Sequence, residues 1–149
     1  MPSVKDIMTK DVATVTVEKT VAEAAELMAA KGIGCLVITQ GEAPVGMVTE
    51  RDIVRRIVAK KLPYTVKVSE IMTSKLVTVD PDVSLKEAAR VMSQNKIRRL
   101  PVVKLNKLVG IVVASDFVRN LGKKTVTEEI LEAMGRYPAS SLSMNGMML

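Results

Sequence analysis

Histidine is missing from all 149 residues, and so is tryptophan. Without histidine the chain has no access to the commonest general base. It also has no Ser-His-Asp or Cys-His nucleophile and few ways to hold zinc. No paired Asp/Glu motif takes their place, so the chain is expected not to be an enzyme. There is one cysteine, Cys35, which excludes an internal disulfide. It sits within Ile33-Gly34-Cys35-Leu36-Val37-Ile38, an apolar run that reads as a buried strand with the thiol as a small hydrophobe. Aromatic residues are limited to Tyr64, Phe117 and Tyr137. Single-stranded nucleic acid binds on several stacked rings, and three scattered ones cannot form that platform. No apolar run approaches the roughly 20 residues of a membrane span. The start, Met1-Pro2-Ser3-Val4-Lys5-Asp6, lacks the apolar centre of a signal peptide. A cytoplasmic location is therefore expected, with no membrane association.

What is present is ordinary for a packed domain: 48% hydrophobic residues and 26% charged ones. Net charge is +6, which favours an anionic partner, from nucleotide to nucleic acid to acidic protein.

The strongest signal is internal. Sliding the chain by 64 residues lays residues 4–55 on 68–119 without a gap. Ile7-Met8-Thr9 falls on Ile71-Met72-Thr73, Glu23-Ala24-Ala25 on Glu87-Ala88-Ala89, and Val45-Gly46 on Val109-Gly110. Asp52 meets Asp116, and Val54-Arg55 meets Val118-Arg119. This is a duplication. Repeat one spans 1–59, a linker 60–67, repeat two 68–122, and a C-terminal helix with a loose tail 123–149.

Each copy opens with Val-x-x-Ile-Met-Thr. A brief strand follows, over 13–16 or 77–79. Thr20-x-x-Glu23 and Ser84-x-x-Glu87 are capping boxes that start a helix in each copy. Val21, Ala24, Ala25 and Met28 fall on one helical face, as do Leu85, Ala88, Ala89 and Met92. Gly32 ends the first of these helices. Two β-rich runs come next, over 34–39 and 45–49, then 99–103 and 108–113. A second helix closes each copy, over about 50–58 and 115–121. The fold class is α+β, as two β-α-β-β-α units expected to pack as a pseudo-twofold pair, because one unit alone buries its sheet poorly. Linker 60–67, with Pro63 and three lysines, reads as an extended surface crossing. Thr125-Val126-Thr127-Glu128 caps one more helix over 126–134.

Gly46-Met47-Val48-Thr49-Glu50-Arg51-Asp52 is the stretch with chemistry in it. A strand gives way to a helix start, where unpaired N–H groups suit phosphate. An Asp here can accept both vicinal hydroxyls of a ribose. Equally, Thr49 and Asp52 are three apart and form a capping pair. The residues alone leave both readings open.

The tandem unit, the Ile-Met-Thr openings, Gly-x-x-Thr-x-x-Asp at 46–52 and Asn95-Lys96-Ile97-Arg98-Arg99-Leu100-Pro101-Val102 together resemble a pair of cystathionine-β-synthase (CBS) domains, a Bateman module. The resemblance covers residues 4–121. It implies a non-catalytic regulatory module that takes an adenosine-containing ligand (AMP, ADP, ATP or S-adenosylmethionine) in a cleft between repeats. No cofactor is required. It also implies a homodimer and an unidentified regulated target protein, with the signal carried as a change in repeat or dimer geometry.

Carried over residue by residue, the resemblance implies two unequal sites. The stronger joins Gly46, Met47, Thr49, Arg51 and Asp52 to Leu76, Val77, Arg98, Arg99 and Pro101. Asp52 would take the ribose, and Arg98 and Arg99 would meet phosphate with forked donors. The weaker joins Val12, Ala13, Gly34, Cys35 and Val37 to Val113, Ser115 and Asp116. Here Val113 replaces the hydroxyl residue, and Gly34 and Cys35 replace the two arginines. It is expected to bind nucleotide weakly, to prefer a less charged adenosyl ligand, or to stay empty. The matching Asp116, kept where the capping hydroxyl is lost, tips the reading of Asp52 toward a ribose. Two alternatives stand beside this one. A basic face of Arg51, Arg55, Arg56, Lys60 and Lys61 would bind nucleic acid. An assembly scaffold with vestigial clefts would bind no ligand.

Overall fold

A computed structural model describes residues 2–120 and, beyond them, Ile130, Ala133 and Met134. The chain divides into two compact units. One comprises Asp11–Leu76 with Asn106–Leu108; the other comprises the described residues of Met1–Lys10, Val77–Leu105 and Val109–Leu149. These units are not the sequence repeats, because each has taken the other repeat's opening segment.

In the unit built on Asp11–Leu76, strands β1 (Thr14–Thr16), β2 (Cys35–Gln40) and β3 (Ala43–Thr49) form a sheet in the order β1-β2-β3. β1 runs parallel to β2, with Val15 opposite Ile38, and β3 antiparallel to it, with Cys35 opposite Thr49. The central strand is buried from Leu36 to Thr39, which is why it reads as an unbroken apolar run. Pro44 fits because β3 is an edge strand, beside an irregularity between Ile38 and Thr39. Helix α2 (Val21–Lys31) starts at Thr20, whose hydroxyl accepts from Glu23 N (3.1 Å) while Glu23 accepts from Thr20 N (3.1 Å). It ends at Gly32, whose φ of +65° suits glycine. Its buried Val21, Ala24 and Met28 pack with Leu36, Ile38, Val48, Ile57, Val68 and Ile71.

The linker proves more than a crossing. Residues 60–65 are exposed, yet the N–H groups of Val21 and Ala22 donate to Val66 O (2.8 Å) and Tyr64 O (3.1 Å). It thus satisfies donors that the first turn of α2 would leave unpaired. Next, Met72-Thr73 lies along β3: Met47 and Thr73 exchange both backbone bonds, at 3.0 and 2.9 Å.

The helix after β3 begins as α3 (Glu50–Ile53) and widens into a π turn over Val54–Val58, with Ala59 N donating to Val54 O (2.8 Å). The span matches the expected 50–58; the widening was not foreseen.

The other unit repeats this plan. Its first helix, α1 (Val4–Ile7), leads to Thr9, which exchanges both backbone bonds with Ile111 (2.9 Å each). The expected strand over 77–79 shrinks to one parallel bridge, Val79 to Val102. Helix α4 (Leu85–Asn95) starts at Ser84, whose hydroxyl accepts from Glu87 N (3.0 Å). Strands β4 (Arg99–Lys104) and β5 (Lys107–Val113) form a two-stranded sheet, turned by Leu105 and Asn106 at φ +49° and +64°. Helix α5 (Ala114–Arg119) follows. Leu85, Ala88, Ala89, Met92, Leu100, Val102, Val112 and Phe117 make the core, together with Val4, Ile7 and Ile130. Of the expected helix over 126–134, Ile130, Ala133 and Met134 are helical; its remaining residues and the tail lie outside the described residues.

Candidate functional site

Two carboxylates, Asp52 and Asp116, occupy the same position in the two units, at the first turn of the helix after an edge strand. Asp52 Oδ2 accepts from Thr49 N (3.0 Å), and the Thr49 hydroxyl accepts from Asp52 N (3.2 Å). The capping reading of this stretch is therefore realised. It fixes the carboxylate without using it up. Among the described residues the guanidinium nearest Oδ1 stands at 3.9 Å, the Nε of Arg56, and that arginine donates to Ile71 O at 2.5 Å. The Asp52 side chain keeps 16% of its surface exposed.

The other residues of this half have visible jobs. Gly46 is buried, and a Cβ there would run into the Met72 sulfur and stand 3.1 Å from Thr73 O. Its place in the motif is explained by the close approach of the Ile-Met-Thr segment. Met47 supplies the backbone pair to Thr73. Arg51 is exposed and Leu76 half-buried in the same unit. The unit thus gathers Gly46, Met47, Thr49, Arg51 and Asp52 along one strand-to-helix junction.

Val77, Arg98, Arg99 and Pro101 fall in the other unit. Arg98 and Arg99 are exposed at the start of β4, and Arg98 O accepts from Ala114 N (2.8 Å). Pro101 is buried and its carbonyl accepts from Val79 N (3.1 Å), so neither its ring nor its oxygen faces solvent.

The weaker set divides likewise. Val12, Ala13, Gly34, Cys35 and Val37 belong to the Asp52 unit. Val37 is buried and its N–H donates to Ala13 O (3.2 Å), and Gly34 O accepts from Glu50 N (3.0 Å). Cys35 is half-buried rather than the core residue expected. Val113, Ser115 and Asp116 stand together at the start of α5. Val113 has no hydroxyl to cap with, but its N–H still donates to Asp116 Oδ2 (2.7 Å). Asp116 is buried at 1% exposure, and its Oδ1 accepts from the guanidinium of Arg119. Burial pushes the Asp116 carboxyl above its ordinary value, against the opposing pull of the Val113 N–H and Arg119.

Of the cations nearest the two carboxylates, Arg119 was not read from the sequence as a site residue, and Arg56 was read only as part of the basic face. The signal was available: a basic residue three or four places after a first-turn Asp shares its helical face.

The fold, the doubled Ile-Met-Thr clamp and the doubled strand–Asp–helix junction define a tandem regulatory-domain architecture. The CBS domain family matches residues 4–59 and 68–123, and the chain belongs to that family as a tandem pair. It is 43% identical over 120 residues to the CBS domain-containing protein YhcV of Bacillus subtilis, covering 80% of this chain and 86% of that one. Among solved structures it resembles the CBS domain pair of protein MJ0100 in complex with 5′-methylthioadenosine and S-adenosyl-L-methionine (31% identity, TM-score 0.73, 82% and 97% of the two chains). It also resembles a CBS-domain-containing protein of Agrobacterium tumefaciens (28% identity, TM-score 0.72, 80% and 98%). Pairs of this kind are regulatory modules. Among the described residues no helix is long and apolar enough to cross a membrane.

Proposed function

We propose that this CBS pair is a non-catalytic, cytoplasmic sensor that binds an adenosine-containing ligand (AMP, ADP, ATP or S-adenosylmethionine) and passes the binding event to a separate target protein. The observation that carries this reading is Asp52. Its carboxylate is held in place by its own cap, partly exposed, and faced among the described residues by a cation no nearer than 3.9 Å. A ribose offers the two hydroxyl donors that such an oxygen pair lacks. Arg98 and Arg99 of the other repeat supply the phosphate cations, as the family resemblance implies. The adenosyl complex of the MJ0100 pair supports the ligand class. Signalling then requires only that the ligand prefer one arrangement of repeats or subunits over another.

Isothermal titration with the four ligands is the test. Asp52→Ala is expected to weaken the best ligand at least about tenfold, the loss of one charge-assisted hydrogen bond. Arg99→Ala should discriminate against the more phosphorylated ligands. Binding unchanged in both variants rules the site out.

A homodimer belongs to the same reading. Val54, Val58, Leu62 and Tyr64 are large apolar side chains left exposed on one unit, between 42% and 68%. Three of them, Val58, Leu62 and Tyr64, line an open depression of about 490 Å³. A contiguous apolar patch of this kind suits a second copy of the chain. Light scattering of the wild type against Val58→Glu tests it: a monomeric wild type removes the dimer from the reading.

A further inference from the structure

Asp52 and Asp116 stand 64 residues apart in a duplicated chain, yet their surroundings differ in one respect that the sequence comparison of the sites did not include. Both hold the backbone N–H of their own cap residue, Thr49 and Val113. The difference is the cation. After Ala114, helix α5 stays α-helical to Arg119, and residues three apart on an α-helix are neighbours. Arg119 therefore closes on Asp116 Oδ1 and both carboxylate oxygens are occupied. In the other unit Arg55 is the register match of Arg119, but it lies inside the π turn Val54–Val58. Among the described residues no ion pair joins Arg55 to Asp52; the cation facing Asp52 is Arg56, at 3.9 Å and already engaged by Ile71 O.

We infer that Arg119 holds the second carboxylate shut against a nucleoside, so that the chain presents one available ribose acceptor, Asp52, rather than two. The inference rests on the proposed function, and it adds a cause of inequality separate from the missing phosphate cations. A ribose must displace the guanidinium before it can reach Asp116, whose side chain is 1% exposed. Arg119 itself is 65% exposed and is the last residue of its helix, so it is a latch fixed at one end rather than a core strut. Replacing it therefore frees the Asp116 Oδ1 of its donor without opening a hole in the core.

Adenosine is the informative probe, because it carries no phosphate. If lost phosphate cations alone weakened the second site, adenosine would bind twice to the wild type. Equilibrium binding of adenosine is measured on the full chain and on Arg119→Met, which keeps the stem and loses the donors. The expected result is one adenosine per wild-type chain and two per Arg119→Met chain, with the added one lost in Arg119→Met/Asp116→Asn. Arg119→Gln carries the same arms if the Met variant unfolds. Two equivalents on the wild type overturn the latch, and so does a single equivalent on both proteins, which leaves the Asp52 reading intact. None on the wild type and one on Arg119→Met overturns the Asp52 reading and upholds the latch. None on either overturns both.

Discussion

Thr49 and Val113 hold the same cap position with the same extended backbone, φ −121° and −119°. Only the first has an oxygen for the N–H three residues on. Val113→Thr keeps the shape of the side chain and supplies that acceptor. It should stabilise the chain by about 0.5–1 kcal/mol, and Thr49→Val should cost a similar amount, both read from urea unfolding. Asp116 gives the pH-dependent prediction. Its carboxyl is raised in the folded state by burial, so it binds its proton more readily folded than unfolded. The stability it contributes is fully present below its ordinary value of 3.8, and is lost as pH rises through the raised folded value. Arg119 offsets part of that loss. Arg119→Met should therefore lower neutral-pH stability by about 1–3 kcal/mol, since a buried charge loses its partner. The deficit should narrow as the solution is acidified toward the folded value and Asp116 takes up its proton. A deficit independent of pH would mean that Arg119 acts through packing and not through the carboxylate.

At the level of elements, the repeated Ile-Met-Thr segment is a clamp on an edge strand, and the glycine opposite it is the space it needs. A Cβ at Gly110 would stand 2.5 Å from the Met8 sulfur and 3.0 Å from Thr9 O. The methionine can shift; the carbonyl cannot without breaking the pair between Thr9 and Ile111. Gly46→Ala and Gly110→Ala should each cost about 1–3 kcal/mol by overpacking. Gly34→Ala, which meets only the flexible end of Glu50, should sit well below both in the same urea series. The contrast between these glycines marks what was legible in the sequence. Thr20–Glu23 and Ser84–Glu87 place helix starts at Val21 and Leu85, because a cap is a local bond between residues three apart. The alternating and continuous apolar runs placed β2 to β5 for the same local reason. The clamp was visible as a repeated word but not as a contact, since its partner strand is chosen by packing across distant parts of the chain. The π turn was invisible too: Val54-Arg55 and Val118-Arg119 read alike and sit in different helices. That difference lies beside the two carboxylates, so the contrast between the two residue sets was only half readable, in Val113, Gly34 and Cys35.

At the scale of the molecule, the sequence repeat and the compact unit are different objects. Repeat one ends at about residue 59, but the unit that contains its sheet runs on to Leu76. The added stretch is structural. Linker carbonyls at Tyr64 and Val66 satisfy the first turn of α2, Val68 and Ile71 enter the core, and Thr73 pairs with β3. Residues before Asp11 belong to the other unit. What the unit takes from Asn106–Leu108 is slight by comparison: a bond from Leu108 N to Glu42 O at 3.3 Å and an exposed ion pair from Lys107 to Glu42 at 3.1 Å. A peptide of residues 11–76 therefore holds nearly all of one core in an unbroken stretch. A peptide of residues 1–59 lacks two core residues and the edge clamp, and leaves α2 uncapped by the linker. Domains of about 60 residues are marginal alone, though many fold, so the loss of core residues is decisive at this size. Followed by circular dichroism in urea, the 11–76 peptide should unfold in a single cooperative transition, whereas the 1–59 peptide should show none. The reverse order would mean that the repeat boundary, and not the exchanged segment, sets the folding unit.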